Sequence, residues 1–239
     1  MPLQLTFDLP VRTALGRDDF YVSPANGLAV AALDTPENWP DRRMLLVGPE
    51  GSGKSHLAQI WAATQHGTVR AAATLCDPPP PPGSAVAIED CDRIAGDRRA
   101  ETALFHMHNM ILAEGGKLLL TARTPPQHWE LTLPDLASRM QSATTARLLS
   151  PDDALLGAVL VKLFADRQIA PSAALIPWLV SRMDRSFAAA RDLVRTLDAQ
   201  ALAQGRPVNT LAAEIDAGRD PDTGLASAIR LFVLRAYRG

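Results

Sequence analysis

The sequence predicts an α/β protein in which a parallel-sheet base with helices on both faces (an αβα sandwich) is followed by a small all-helical lid. Three observations carry that expectation. Residues 44–57, MLLVGPEGSGKSHL, read as a short apolar strand, a glycine-rich loop and the start of a helix. Strand candidates at 68–72, 85–88, 117–121 and 143–148 follow, those at 85–88 and 117–121 reading as buried, separated by stretches of helical period or by turns. After Ser150 the strand-like runs cease, and 150–167, 172–182, 186–204 and 209–216 all read as helix.

The 44–57 stretch organises the rest. Gly48, Gly53, Lys54 and Ser55 match the phosphate-loop pattern G-x-x-x-x-G-K-[ST] at every fixed position. Glycines let successive backbone N–H groups curl round a phosphate with no Cβ in the way, and the helix start adds its positive dipole end. The expected cradle is Gly48, Pro49, Glu50, Gly51, Ser52, Gly53, Lys54, Ser55 and His56. Lys54 would reach the β- and γ-phosphates of ADP or ATP, and the Ser55 hydroxyl would hold Mg²⁺. A glycine-rich turn with an exposed lysine is the plainer alternative, and the strand before and helix after favour the nucleotide.

Composition bounds the class. The 239 residues are 47% hydrophobic with a net charge of −2, which suits a packed base and lid and gives no global basic footprint for wrapping nucleic acid. Cys76 and Cys91 offer neither a disulfide framework nor zinc spacing, the start MPLQLTFDLP lacks a signal-peptide pattern, and no apolar run approaches ~20 residues. These features predict a cytoplasmic protein.

Taken in order, residues 1–13 precede the base. Gln4, Leu5, Phe7 and Leu9 suit either an edge strand or a short linear peptide docking in another protein's groove. The base is expected over 14–149. In FYVSPANGLAVA, Ser23-Pro24 reads as a helix start, and Phe20, Tyr21 and Val22 are candidates for an adenine pocket or an ordinary linker. Leu57, Ile60 and Trp61 share one face of a helix at 55–65. Prolines 78–82 make a stiff connector.

The run 85–88 ends in Glu89-Asp90, an apolar strand capped by two carboxylates, as in a Walker B segment. Glu89 would orient the Mg²⁺ shell and Asp90 would position an attacking water. Most such enzymes place Asp before Glu. The reversed order displaces the first carboxylate by about one C–C bond, ~1.5 Å, which puts hydrolysis in cis in doubt while leaving binding intact. The helix at 101–114 carries Leu104, Phe105, His108, Ile111 and Leu112 inward, and His106 and His108 point apart without a third ligand. Thr121 ends a strand at the sheet edge where α/β folds bind ligands, as a functional group or as a satisfied strand-end hydroxyl. Pro134-Asp135 opens a short helix with Arg139 near its end, and Arg is suited to fork two hydrogen bonds to phosphate across a subunit boundary. Ser150, Pro151 and Asp152-Asp153 read as N-cap, N1 and acidic first turn of the first helix of a lid over 150–216. A tail helix at 217–239 sets Leu225, Ile229, Phe232 and Val233 among Arg230, Arg235 and Arg238.

Together these residues resemble the AAA+ ATPases related to the bacterial replication initiator DnaA, collinearly over roughly 19–216. FYVSPANGLAVAA resembles the family's pre-loop box, VGPEGSGKSHL its phosphate loop, IEDCDRIAGD its Walker B segment, LLLTARTPP its sensor 1 strand and LPDLASRM its arginine-finger box. The resemblance implies an AAA+ P-loop fold, Thr121 as the sensor 1 residue and Arg139 as an arginine finger. It also implies that Gln4, Leu5, Phe7 and Leu9 dock on the DNA polymerase sliding clamp (its beta subunit).

Three departures from the initiator accompany it. Ala188 stands where the lid would carry a sensor 2 arginine, with Arg185 or Arg191 as neighbouring substitutes. No helix-turn-helix domain follows, and the proline connector replaces a helical insertion that handles single-stranded DNA. The expectation is therefore a DnaA-directed regulator with no direct sequence-specific DNA binding, weak or no ATPase of its own, and a homodimer left open. The alternative is a self-sufficient ATPase or helicase loader in DNA replication.

Overall fold

The computed structural model describes residues 21–75, 79–172, 174–208 and 210–211. Gln4, Leu5, Phe7, Leu9, Phe20, Cys76 and the tail helix lie outside them. The base holds five parallel strands: β1 Arg43–Val47, β2 Thr68–Ala71, β3 Ala85–Glu89, β4 Lys117–Ala122 and β5 Thr145–Arg147. Their order is β2-β3-β4-β1-β5, so β4 lies between the strand leading into the phosphate loop and the strand ending in Glu89.

Side chains alternate across the sheet, as a pleat of period 2 requires. Leu45, Val86, Ile88, Leu118 and Leu120 face helix α3 (Arg98–Ala113) and helix α4 (Pro134–Gln141), whose Leu104, Ile111, Leu136 and Met140 complete that core. Met44, Leu46, Ala87 and Leu119 face α1 (Gly27–Asp34) and α2 (Lys54–Thr64), meeting Val30, Leu57, Ala58 and Trp61. Trp61 stacks on Trp39 at 5.2 Å between ring centroids. β1 is buried along its whole length, which explains why its sequence is continuously apolar beyond Arg43 rather than alternating.

The lid has its own core. Helices α5 (Asp153–Ala165), α6 (Leu175–Val180) and α7 (Phe187–Gln204) bury Leu156, Leu160, Phe164, Leu179, Val194 and Leu197 together.

Several boundaries differ from expectation for local reasons. The first lid helix starts at Asp153, because Asp152, in extended backbone, is its N-cap and accepts the Leu155 amide at 2.8 Å. Helix α3 begins three residues early, since Asp97 caps it by accepting from Arg99 and Ala100. α6 is shorter than the 172–182 read from sequence, and α1 begins at Gly27 after the Ser23–Asn26 turn. Of the expected 209–216 helix only 210–211 are described. No helix among the described residues is long and apolar enough to cross a membrane.

Candidate nucleotide site and the Arg139 region

The phosphate loop occupies the C-terminal end of β1, at the sheet edge where open α/β folds gather ligands. Gly51 and Gly53 have φ of +74° and +97°, which only glycine adopts without strain. Gly48 is hemmed in for another reason: a Cβ there would lie 2.7 Å from the Leu148 carbonyl oxygen. Lys54 crosses back over the loop and donates to the Gly48 and Pro49 carbonyls at 2.7 and 2.8 Å. Burial lowers the Lys54 pKa, Asp90, Asp92 and Glu50 pull it back up, and Arg123 adds to the lowering. Ser55 is exposed at the opening of α2 and His56 is half-buried.

The lid closes on this loop. Phe187 N–H donates to the Gly51 carbonyl at 2.9 Å, and a Cβ on Gly53 would lie 2.9 Å from the Phe187 ring. The pre-loop segment is tied in through the Leu149 N–H donating to the Ala25 carbonyl, and Tyr21 and Val22 are about half exposed, with the Tyr21 carbonyl accepting from Asn26.

The acidic end of β3 divides its work among three carboxylates. Glu89 is half-buried, and its Oε1 is sequestered without a hydrogen-bond partner among the described residues. Asp90 takes a left-handed backbone (φ 57°), and its carboxylate lies 3.5 Å from Arg93. Buried Thr121 accepts the Asp90 N–H at 3.2 Å, so its hydroxyl holds the turn that aims Asp90. The third carboxylate, Asp92, pairs with Arg123 at 3.2 Å. Sequence reasoning stopped at Glu89-Asp90. The acidic run EDCD and the arginine one residue beyond the β4 strand were the signals for this second pair.

The residues fit a nucleotide with its cation. The positive-φ glycines Gly51 and Gly53 put no side chain over the loop, the Ser52 Oγ is buried without a partner among the described residues, and so is Glu89 Oε1. No cluster of three metal-ligating side chains occurs among the described residues.

Arg139 lies elsewhere. It sits on α4, across the sheet from α2, with its guanidinium 5.1 Å from the Phe105 ring centroid of α3. The Arg139 carbonyl accepts from Ser142 Oγ, which in turn accepts from Arg43 at the first residue of β1. Arg43 also donates to His108 Nε2 at 2.9 Å, which makes Nε2 the acceptor and leaves Nδ1–H to donate to Asn109. Burial brings His108 down to about pKa 4; Asn109 pulls it up, Arg43 and Arg139 push it down, and Asp41 opposes them.

Glu101 anchors the start of α4. Fully buried, it accepts from the Gly96, Thr132 and Leu133 amides and from the Thr132 hydroxyl. Burial alone would raise its pKa, but these hydrogen bonds outweigh it and hold the carboxyl below its ordinary value. The sequence carried a faint sign of this: Glu101 falls three residues before Leu104, on the inward stripe of α3.

Arg185, one proposed substitute for the absent lid arginine, is instead paired with Asp153 at 2.7 Å. Ala188 is exposed in the first turn of α7, and Arg191 is exposed one turn further on.

Among solved structures, this architecture is that of the AAA+ domains. The chain is similar to domain III of the Thermotoga maritima replication initiation protein DnaA, at 19% identity and a TM-score of 0.69, covering 83% of this chain and 93% of that one. AMPPCP-bound DnaA from Aquifex aeolicus matches at 14% identity and a TM-score of 0.62, over 83% of this chain and 69% of that one. The FIGL-1 AAA domain in complex with ADP matches at 18% identity and a TM-score of 0.55, over 90% of this chain and 84% of that one. At these identities the likeness establishes the fold. A family model for a ribbon-helix-helix domain also matches residues 192–237. Its described part begins inside α7, where residues 192–204 are helical and feed Leu193, Val194, Leu197 and Ala201 into the lid.

Proposed function

We propose that the chain is a DnaA-related regulator of the Hda type. It binds ADP or ATP with Mg²⁺ in its own phosphate loop and acts on ATP held by the DnaA initiator. Held on the DNA polymerase sliding clamp through Gln4, Leu5, Phe7 and Leu9, it presents Arg139 in trans and so prevents re-initiation of replication. The DnaA-like fold supports the replication context.

The observation that carries the reading is the placement of Arg139. It is tied to the first residue of β1, while the phosphate loop begins after the last, about 16 Å away at strand rise, with the sheet between Arg139 and α2. An arginine so placed cannot serve its own loop and is free for a neighbour's. Phe105 beneath its guanidinium limits the rotamers lost when it engages phosphate.

In the chain's own site, the loop amides and Lys54 would bind phosphate, and Ser55 and Glu89 would hold the cation. Bound Mg²⁺ would supply charge neutralisation between the phosphates. Asp90 turns toward Arg93, which favours holding nucleotide over turning it over. The lid bond from Phe187 to Gly51 links the state of that loop to the angle between base and lid.

Single-turnover hydrolysis of ATP preloaded on DnaA, with clamp loaded on DNA, tests the proposal. Wild type is expected to accelerate hydrolysis, Arg139→Ala to lose about 10³-fold or more of that acceleration, and Gln4→Ala/Leu5→Ala to lose its clamp dependence. Absence of acceleration by wild type overturns the reading in favour of a self-sufficient ATPase.

A further inference from the structure

We infer that Arg43 is the positioning residue for Arg139: with one guanidinium it ties the last turn of α4 to α3 and to the start of β1, and so fixes the angle at which Arg139 meets a partner's phosphates. The inference rests on Arg139 acting in trans, as proposed above.

Helix α4 has eight residues, and Arg139 lies in its last turn. The final carbonyls of a helix find no partner within it, so a helix this short frays most easily where this arginine sits. The entry to α4 is secured by Glu101, which accepts the Thr132 and Leu133 amides. The exit depends on Ser142. Its N–H donates to the Ser138 carbonyl and its hydroxyl to the Arg139 carbonyl, both at 3.1 Å.

Arg43 anchors Ser142. Its buried guanidinium donates through Nη2 to Ser142 Oγ at 3.1 Å and to Asp41 Oδ2 at 3.2 Å, and through Nη1 to His108 Nε2 at 2.9 Å. His108 lies one turn along α3 from Phe105, whose ring carries the Arg139 guanidinium. The backbone carbonyl of Arg139 and the platform under its side chain are therefore held by the same buried fork. Lysine has no such fork, because its three donors radiate from one nitrogen.

The turn before β1 is shaped to deliver Arg43. Asp41 and Arg42 have φ of 51° and 54°, a left-handed pair without glycine. Arg42 holds that turn against the C-terminal end of α3 by donating to the Leu112 and Gly116 carbonyls at 2.6 and 3.3 Å. Charge then directs Arg139 outward. Arg43 and Arg139 both lie near enough to His108 to oppose its protonation. Among the described residues the Arg139 guanidinium has no hydrogen bond or ion pair, so repulsion from the fixed Arg43 favours rotamers that lead it toward solvent.

Single-turnover hydrolysis of ATP preloaded on DnaA, with clamp loaded on DNA, tests this when the full chain is titrated to saturation. Ser142→Ala, at an exposed position, cuts the link from Arg43 to the Arg139 carbonyl and leaves the Arg43–His108 bond in place. It is expected to lower the maximal stimulated rate about tenfold, part of the ~10²-fold that a misplacement of about 1 Å can cost. The half-saturating concentration, the chain's own ADP affinity and its thermal midpoint should stay at wild-type values. Ser142→Thr, which keeps the hydroxyl, should restore the rate, and Arg43→Lys, which keeps the charge without the fork, should lower it. An unchanged maximal rate in Ser142→Ala, or a changed midpoint or half-saturating concentration in its place, overturns the inference; loss of stimulation in Arg139→Ala would then leave the trans arginine standing. Failure of wild type to stimulate, or full stimulation by Arg139→Ala, removes the trans arginine and the inference with it.

Discussion

The phosphate loop at one end of β1 is made of backbone, while the Arg139 region at the other end is held by side chains. At the loop, glycine conformations, amides and two carbonyls caught by Lys54 define the shape. Around Arg139, a buried carboxylate, a neutral histidine and a buried arginine do the positioning. On the function proposed above, the two designs suit their tasks. A loop that must wrap an anion needs exposed N–H groups and no Cβ, whereas an arginine that must reach a neighbour needs a rigid platform.

The difference can be broken from either end. Glu101→Ala leaves four donors without their acceptor and should cost the most, about 3 kcal/mol in denaturant unfolding. On the regulator proposal it should also lower Arg139-dependent stimulation of DnaA while nucleotide affinity holds, and loss of affinity instead would merge the two regions into one unit. Gly51→Ala is the converse. It forces alanine to φ +74° and sets its Cβ 2.3 Å from Ser186 Cβ, for a cost of roughly 2 kcal/mol and a weakened nucleotide complex.

A third test sharpens the contrast through pH. His108 has a folded pKa of about 4, below its ordinary 6.5, so the unfolded chain binds its proton first. Its contribution is fully present above about pH 6.5 and is lost as pH falls toward 4, costing roughly 2 kcal/mol between pH 7 and pH 5. Denaturant midpoints across that range should show the slope in wild type and a flatter one in His108→Gln. An equal slope in both would place the titration elsewhere.

Legibility followed the same division. The loop was readable because its requirements are local: glycine at fixed offsets, lysine and serine at a helix start. Strands β1, β3 and β4 were readable because each is a short apolar run, and the αβα sandwich followed from the alternation of strands and helices. Helix starts were read less well, since Ser150 and Asp152 are both acceptable caps in sequence for the first lid helix, and Asp97 caps α3 ahead of the start read at Glu101. Glu101 was read as the start of a helix rather than a buried anchor, because its four donors come from 96 and 132–133 and the chain must fold before they meet.

The sequence by itself determined the strand–loop–helix of the phosphate site, the apolar faces of the sheet and the separation of base from lid, because these depend on near neighbours and on period. Tertiary structure alone decided that Arg123 emerges beside Gly48, that Asp92 restrains it, that Phe187 closes on Gly51 and that Arg139 stands across the sheet from its own loop. Those relations follow from strand order, which brings residues 74 apart into one hydrogen-bonded pair such as Gly48 and Ala122. A linear pattern carries the parts, and the crossover connections of a parallel sheet decide which of them meet.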